Sequence, residues 1–330
     1  MATKMQIGDF DPDSVLRGTS ERFLLEIGSV ESGESEVIPV VVLNGQRAGK
    51  TLVALAGVHG DEYEGVQAIQ DVCRGLNPAE MSGRLIAAPV VNVAAHRAAS
   101  RETPVDRLNL ARVFPGKSDG TLTERIAWAL TETLITRADF LLDLHSAGLN
   151  FLIPPLVGHG VVEEEKNSAS SAAAEIFGAP VIWAHPEPIP AGRTISEAHR
   201  RGIPWLYVES SGGARVLRDE LHYYTDGLLN LLKHLAIIPG QARARKITHR
   251  LIGDGNIEEA VSTGTAGFFV HRAGILDDVM RGDIVGEVRD LFGETIEEIA
   301  APRDGVVILL RALPVVNPGD IVCVVTGRNV

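Results

Sequence analysis

Short, nearly unbroken apolar runs at residues 52–56, 85–91 and 140–144 restrict this chain more than any other feature. Too short for helices and without strict alternation, they read as strands buried on both faces of a sheet. A further run at 37–42 leads into the first through the turn residues Asn44-Gly45. Between runs the period changes. Val66, Ile69, Val72 and Leu76 fall on one face of a helix over 62–76, and residues 122–135 are helical as well. Later, 181–183 and 205–208 are strands, with helices expected over 168–177, 195–201 and 217–235. Strands separated by helices predict a sheet covered on both faces, a three-layer α/β domain.

After Pro239 the pattern shifts. Residues 242–250 are basic, and beyond them short β-like runs at 268–271, 284–288, 295–299, 306–310 and 321–325 are punctuated by Gly and Asp. That spacing predicts a small all-β unit, so the chain divides into 1–240 and 241–330. Arg281-Gly282-Asp283 and Pro318-Gly319-Asp320 each precede a Val/Ile run, which suggests two similar halves.

Charge narrows the choice of partner. With 31 Lys+Arg against 43 Asp+Glu the net charge is −12, a field that repels nucleic acid and anionic membranes. No apolar stretch approaches the ~20 residues of a membrane span, and no signal segment precedes Asp9, Asp11 and Asp13, so a cytoplasmic location is expected. Cys73 and Cys323 lack metal or redox spacing and read as buried small hydrophobes.

The sharpest local signal is Gly57-Val58-His59-Gly60-Asp61-Glu62, where a strand ends and a helix begins. Ligands of open α/β sheets sit at such strand ends. His59 and Glu62 can converge on one ion, although a capping Asp61 and a solvated His59 would give the same pattern. Asp139-Phe140-Leu141-Leu142-Asp143-Leu144-His145 ends a second strand in a histidine. Two nitrogens and one carboxylate around Zn²⁺ leave a position open for water, which is a catalytic arrangement. A hydrolytic site also needs a base, and Glu209 closes the run Trp205-Leu206-Tyr207-Val208 before Gly212-Gly213. Its bland alternative is an ordinary charge ahead of the helix at Leu217. Arg97, Arg101, Arg107 and Arg112 occupy one polar loop, where an arginine can grip a carboxylate or stabilise an oxyanion, or simply be solvated. The segment 45–51 imitates a phosphate loop, but its glycines are one residue too close and a strand follows. His159, His185, His199, His222, His234, His249 and His271 have no comparable strand-end setting and read as surface or structural. Tyr223-Tyr224 reads as helix packing.

At these residues the sequence resembles the succinylglutamate desuccinylase/aspartoacylase family, relatives of the zinc carboxypeptidases. The resemblance runs in order through His59-Gly60-Asp61-Glu62, the loop 101–116, Asp143-Leu144-His145 and Val208-Glu209. It implies a zinc-carboxypeptidase-like α/β/α domain with a mostly parallel, mixed sheet. It also implies His59, Glu62 and His145 as ligands of one Zn²⁺ per chain, Glu209 as general base and Arg101 polarising the scissile carbonyl. Arg112 and Arg193 match arginines that grip the substrate carboxylate. Ala111 stands where the family usually has asparagine, and no tyrosine follows Tyr224 to supply the contact some members make from their β domain. The C-terminal part resembles a lipoyl/biotinyl-like sandwich, but Lys246 is the last lysine, so a shaping or oligomerising role fits better than a carrier role. The activity implied is hydrolysis of the amide of a small N-acyl amino acid by a homo-oligomeric enzyme. Asn109-Leu110-Ala111-Arg112 resembles a subgroup that includes N-acetyl-diaminobutanoate deacetylases. A carboxypeptidase acting on short peptides and a catalytically silent small-acid-binding protein are the alternatives.

Overall fold

The computed structural model describes residues 1–29, 35–161, 168–243, 245–256 and 260–329. The first half supplies strands β1 (Thr3–Gln6), β2 (Thr19–Ser29), β3 (Ser35–Asn44), β4 (Arg47–Ala56), β5 (Ser82–Ala88) and β6 (Phe140–Leu144). With them come helices α1 (Glu64–Gly75), α2 (Val93–Ala98) and α3 (Leu122–Thr133). There follow β7 (Phe151–Leu152), β8 (Leu156–Val161), α4 (Ala169–Phe177), β9 (Val181–Pro186), α5 (Thr194–Arg200), β10 (Trp205–Glu209) and α6 (Arg218–His234). The C-terminal part is all strand: β11 (His249–Ile252), β12 (Val261–Ser262), β13 (Gly267–His271), β14 (Asp278–Val279) and β15 (Ile284–Arg289). It ends with β16 (Thr295–Ala300), β17 (Gly305–Arg311), β18 (Val315–Val316) and β19 (Ile321–Arg328).

The apolar runs are central strands. Within β4, Leu52, Ala54 and Ala56 join a core under α1, α4 and α6, while Val53 and Leu55 join a second core under α3 and α5. Successive side chains point to opposite faces, and both faces are covered, so every position is apolar. The expected three layers are present. β4 pairs in parallel with β5 and β6, and β6 with β10, bringing several carboxyl ends to one edge of the sheet. β8 enters antiparallel to β10, so the sheet is mixed. Asn44-Gly45 does not close a hairpin: β5 lies between β3 and β4 and pairs with both.

The break near residue 240 falls between α6 and β11, but hydrogen bonding crosses it. β11 pairs in parallel with β9 and antiparallel with β19, so the main sheet continues into the C-terminal strands. A separate four-stranded sheet, β16-β15-β13-β18, covers them. The two halves foreseen around 281–283 and 318–320 share one turn. Asp283 accepts from the Met280 amide at 2.8 Å and Asp320 from the Asn317 amide at 2.9 Å, with Gly282 and Gly319 at φ +92° and +90°. Each turn feeds the next strand, β15 in one sheet and β19 in the other. Among the described residues no helix is long and apolar enough to cross a membrane.

Candidate active site

His59 and Glu62 lie on the segment joining β4 to α1. Gly57 turns the chain at φ +65°, and Gly60 lies so close to α2 that a Cβ there would meet the Ala95 carbonyl oxygen at 2.0 Å. His145 follows the last residue of β6. Its amide donates to Val208 O at 2.9 Å on the neighbouring strand, and its carbonyl accepts from the Tyr224 hydroxyl at 2.5 Å. Tyr224 therefore packs, as expected, and also fixes the backbone of the site.

These restraints bring three donors together. His59 Nδ1 lies 2.7 Å from Glu62 Oε1 and His145 Nδ1 lies 2.9 Å from Glu62 Oε2. One ligand atom from each residue fits within 4.8 Å of the others. The far ring nitrogens are engaged as well: His59 Nε2 faces Asn109 Oδ1 at 3.1 Å, and His145 Nε2 faces Asp143 Oδ2 at 3.0 Å. Asn109 Oδ1 also accepts from the Ala111 amide at 2.9 Å, and Asp143 accepts from the Thr194 hydroxyl. Both outer partners are acceptors, so with a metal in place of any proton between the rings and Glu62, each Nε2 would donate outward and leave the Nδ1 lone pair for the ion. A divalent metal requires that tautomer, and acceptors behind histidine ligands commonly enforce it. The residues present fit a zinc-type ion: two imidazoles and one carboxylate, with Glu62 and His59 each 3% exposed.

Burial opposes charge on Glu62, but His59 and His145 outweigh it and hold its carboxyl well below the usual range. Burial, aided by Arg101, lowers His59. Burial also acts to lower His145, yet Asp143 and Glu62 prevail and raise it well above the ordinary value. Arg101 reaches Glu62 Oε1 at 3.2 Å. Glu209, at the end of β10, is pushed up to about 8, first by burial and then by the charge on Glu62. Its buried Oε2 has no hydrogen-bond partner.

One cavity collects the residues singled out from the sequence. His59, Arg101, Arg112, His145, Arg193 and Glu209 line it, with Glu62 buried between the two imidazoles. Arg97 and Arg107 do not line it. Gly192 brings the Arg193 segment against the Arg112 backbone, where a Cβ would meet Arg112 O at 2.5 Å. The C-terminal strands contribute Ile308, Leu309 and Val324 as an apolar wall, and no tyrosine.

Two lining residues escaped the sequence reading. His185 is not a bystander: it is 3% exposed, lines the cavity and lies 2.8 Å from the Tyr207 hydroxyl through Nε2. Tyr207 shares the cavity face of β10 with Glu209, two residues on, and its ring crosses β8 to reach β9. Gly158 makes room, since a Cβ there would lie 1.9 Å from Tyr207 Cε1. A glycine at every second position of an apolar strand, Gly158 and Gly160, was the available signal.

The chain thus combines a mixed α/β sheet with a His-Glu-His cluster at its strand ends. The description of the succinylglutamate desuccinylase/aspartoacylase catalytic domain matches residues 48–235. The N-alpha-acetyl-L-2,4-diaminobutyric acid deacetylase of Halomonas elongata is 31% identical over 321 residues, 96% of this chain and 93% of that protein. A succinylglutamate desuccinylase structure from Silicibacter sp. TM1040 superimposes with a TM-score of 0.86 at 29% identity, covering 96% of this chain and 98% of that one. The product-bound ectoine utilization protein EutE (DoeB) of Ruegeria pomeroyi gives 0.86 at 29% identity, over 95% and 98% of the two chains. The chain belongs to the succinylglutamate desuccinylase/aspartoacylase family.

Proposed function

We propose that the protein is a zinc-dependent deacylase that cleaves the amide of a small N-acyl amino acid, with N-acetyl-diaminobutyrate as the leading substrate. The observation that carries this reading is the pair of imidazoles that turn Nδ1 toward one buried carboxylate while acceptors hold both Nε2 protons, beside a glutamate with an unpartnered oxygen. The diaminobutyric acid deacetylase named above supplies the substrate.

His59, Glu62 and His145 would hold the ion, which supplies a Lewis acid and makes water acidic enough to lose a proton near neutral pH. Glu209 accepts that proton as the water oxygen attacks the acyl carbonyl. The raised carboxyl of Glu209 retains the proton well enough to hand it to the leaving amine nitrogen. Arg101 donates to the developing oxyanion, a contribution of about 3 kcal/mol for one well-aimed donor. Arg112 and Arg193 bind the substrate carboxylate. Ile308, Leu309 and Val324 close the cavity from the C-terminal side and exclude water, which is the role we assign to residues 241–330.

Acetylated amino acids and dipeptides assayed side by side with the zinc-loaded protein test the assignment. Hydrolysis of the acetylated amino acids is expected, with about one zinc per chain by metal analysis. Turnover of dipeptides alone defeats the deacylase reading in favour of a carboxypeptidase. Glu209→Gln should retain the metal and lose activity by about 10²–10⁴-fold.

A further inference from the structure

In the cavity wall formed by β9, β10 and the segment after β11, the side chains of His185, Tyr207 and Trp183 have spent their hydrogen-bond donors. His185 Nδ1 lies 2.7 Å from Gly253 O, a group that can only accept, so Nδ1 carries the ring proton. His185 Nε2 is then an acceptor, and the Tyr207 hydroxyl donates its single proton to it across 2.8 Å. The Trp183 indole N–H donates to Thr326 Oγ1 at 3.0 Å, and that hydroxyl passes its own proton to Ile252 O at 2.9 Å. What these side chains still offer a ligand is the lone pairs of the Tyr207 oxygen and the faces of their rings, with the carboxylate of Asp254 on the same cavity. Burial holds His185 down at about 4, so the neutral ring and this polarity persist across the physiological range.

We propose that Tyr207 and Asp254 form a subsite for a substrate ammonium group, so that the enzyme selects N-acyl diamino acids over N-acyl amino acids with neutral or acidic side chains. An ammonium is a donor on every hydrogen and matches a wall made of acceptors and aromatic faces. A carboxylate side chain would meet lone pairs and an acidic residue there, and is rejected by charge. Arg193 lines the same cavity as Asp254. The cavity therefore offers groups of opposite charge, as a small substrate bearing both a carboxylate and an ammonium requires. His185 is a positioning residue in this scheme, because it acts by fixing which way the Tyr207 proton points. Gly255 leaves room for that ring, since a Cβ there would lie 2.8 Å from His185 Cε1.

The inference rests on the deacylase reading of the same cavity, and the test separates the two. N-acetyl-L-2,4-diaminobutyrate, its neutral isostere N-acetyl-L-norvaline and the acidic N-acetyl-L-glutamate are compared as substrates of the zinc-loaded enzyme. The expected order of kcat/KM is cationic, then neutral, then acidic. Tyr207→Phe and Asp254→Asn should each lower the ratio of the cationic to the neutral substrate by about tenfold or more, chiefly through the KM of the cationic substrate. His185→Gln should lower the same ratio. As a readout independent of turnover, 2,4-diaminobutyrate should raise the melting temperature of the wild-type protein more than norvaline does, and Tyr207→Phe should remove the difference. Equal use of the cationic and neutral substrates by the wild type, or a ratio untouched in both variants, overturns the subsite. Hydrolysis of none of the three amides overturns the deacylase reading itself, and the subsite with it.

Discussion

Asn109 and Asp143 do work that the proposed ligands His59 and His145 cannot do for themselves. A histidine presents a lone pair to a metal only if its other nitrogen holds the proton, and Asn109 Oδ1 and Asp143 Oδ2 secure that at 3.1 and 3.0 Å. Asn109→Ala should weaken zinc binding about 10–100-fold with the three ligands intact, as read by competition with a chelator; unchanged affinity would show that His59 is oriented by its loop alone. His185 makes a separate prediction about pH. Its folded value of about 4 lies below the ordinary 6.5, so the unfolded chain binds the proton more tightly. Its contribution is complete above pH 6.5 and is lost as pH falls from there toward 4, by about 3 kcal/mol in all. Denaturant melts from pH 7 to 4 should show a shallower decline in His185→Gln than in the wild type, and parallel declines would mean that the ring is not buried neutral. His59, His145 and Glu209 could be singled out because each ends an apolar run, whereas Arg101, Arg112 and Arg193 were picked out by the family resemblance alone. His185 and Tyr207 were not, because their importance comes from a contact across β8 that no local spacing encodes.

Glycine controls what β8 can carry. Gly158 faces Tyr207 in register across the sheet, and the aromatic ring lies over it. Gly158→Ala would place a methyl carbon 1.9 Å from Tyr207 Cε1, so the ring must leave its bond to His185. A cost of about 1–3 kcal/mol is expected, seen as a lower melting temperature, together with weaker discrimination among substrate side chains. Gly75 is the control. It closes α1 with nothing within 4 Å of an added Cβ, so Gly75→Ala should leave the protein as stable or raise stability by up to about 1 kcal/mol. If both variants melt alike, the packing over β8 is not what makes Gly158 necessary. The helix α1 was legible from its apolar stripe, whereas the short α2 lies in the segment around Arg97 that was read as a polar loop. Strand order was legible only in part. An apolar run declares a buried strand but not its neighbour, and so Asn44-Gly45 suggested a hairpin where β5 intervenes.

At the level of the whole molecule, two units read from a change in sequence pattern share more than a linker. The short strand β11 joins β9 on one side and β19 on the other, pairings between segments 68 and about 75 residues apart that composition cannot reveal. Below it, Leu156, Trp183 and Leu251 pack with Val306, Ile308 and Leu309 in a core to which both units contribute. Some of the same C-terminal residues wall the cavity, so closing the active site and joining the units are one packing event. Cooperative unfolding follows, because removing the C-terminal strands would strip apolar cover from Trp183 and leave the edge of β9 unpaired. Thermal unfolding followed by tryptophan fluorescence and by far-ultraviolet circular dichroism should therefore give one coincident transition. Leu309→Ala, in a residue 3% exposed, should shift that transition as a whole by the equivalent of about 2–5 kcal/mol. A separate early transition for the C-terminal strands, with catalytic activity surviving it, would mean that they neither complete the cavity nor hold the sheet.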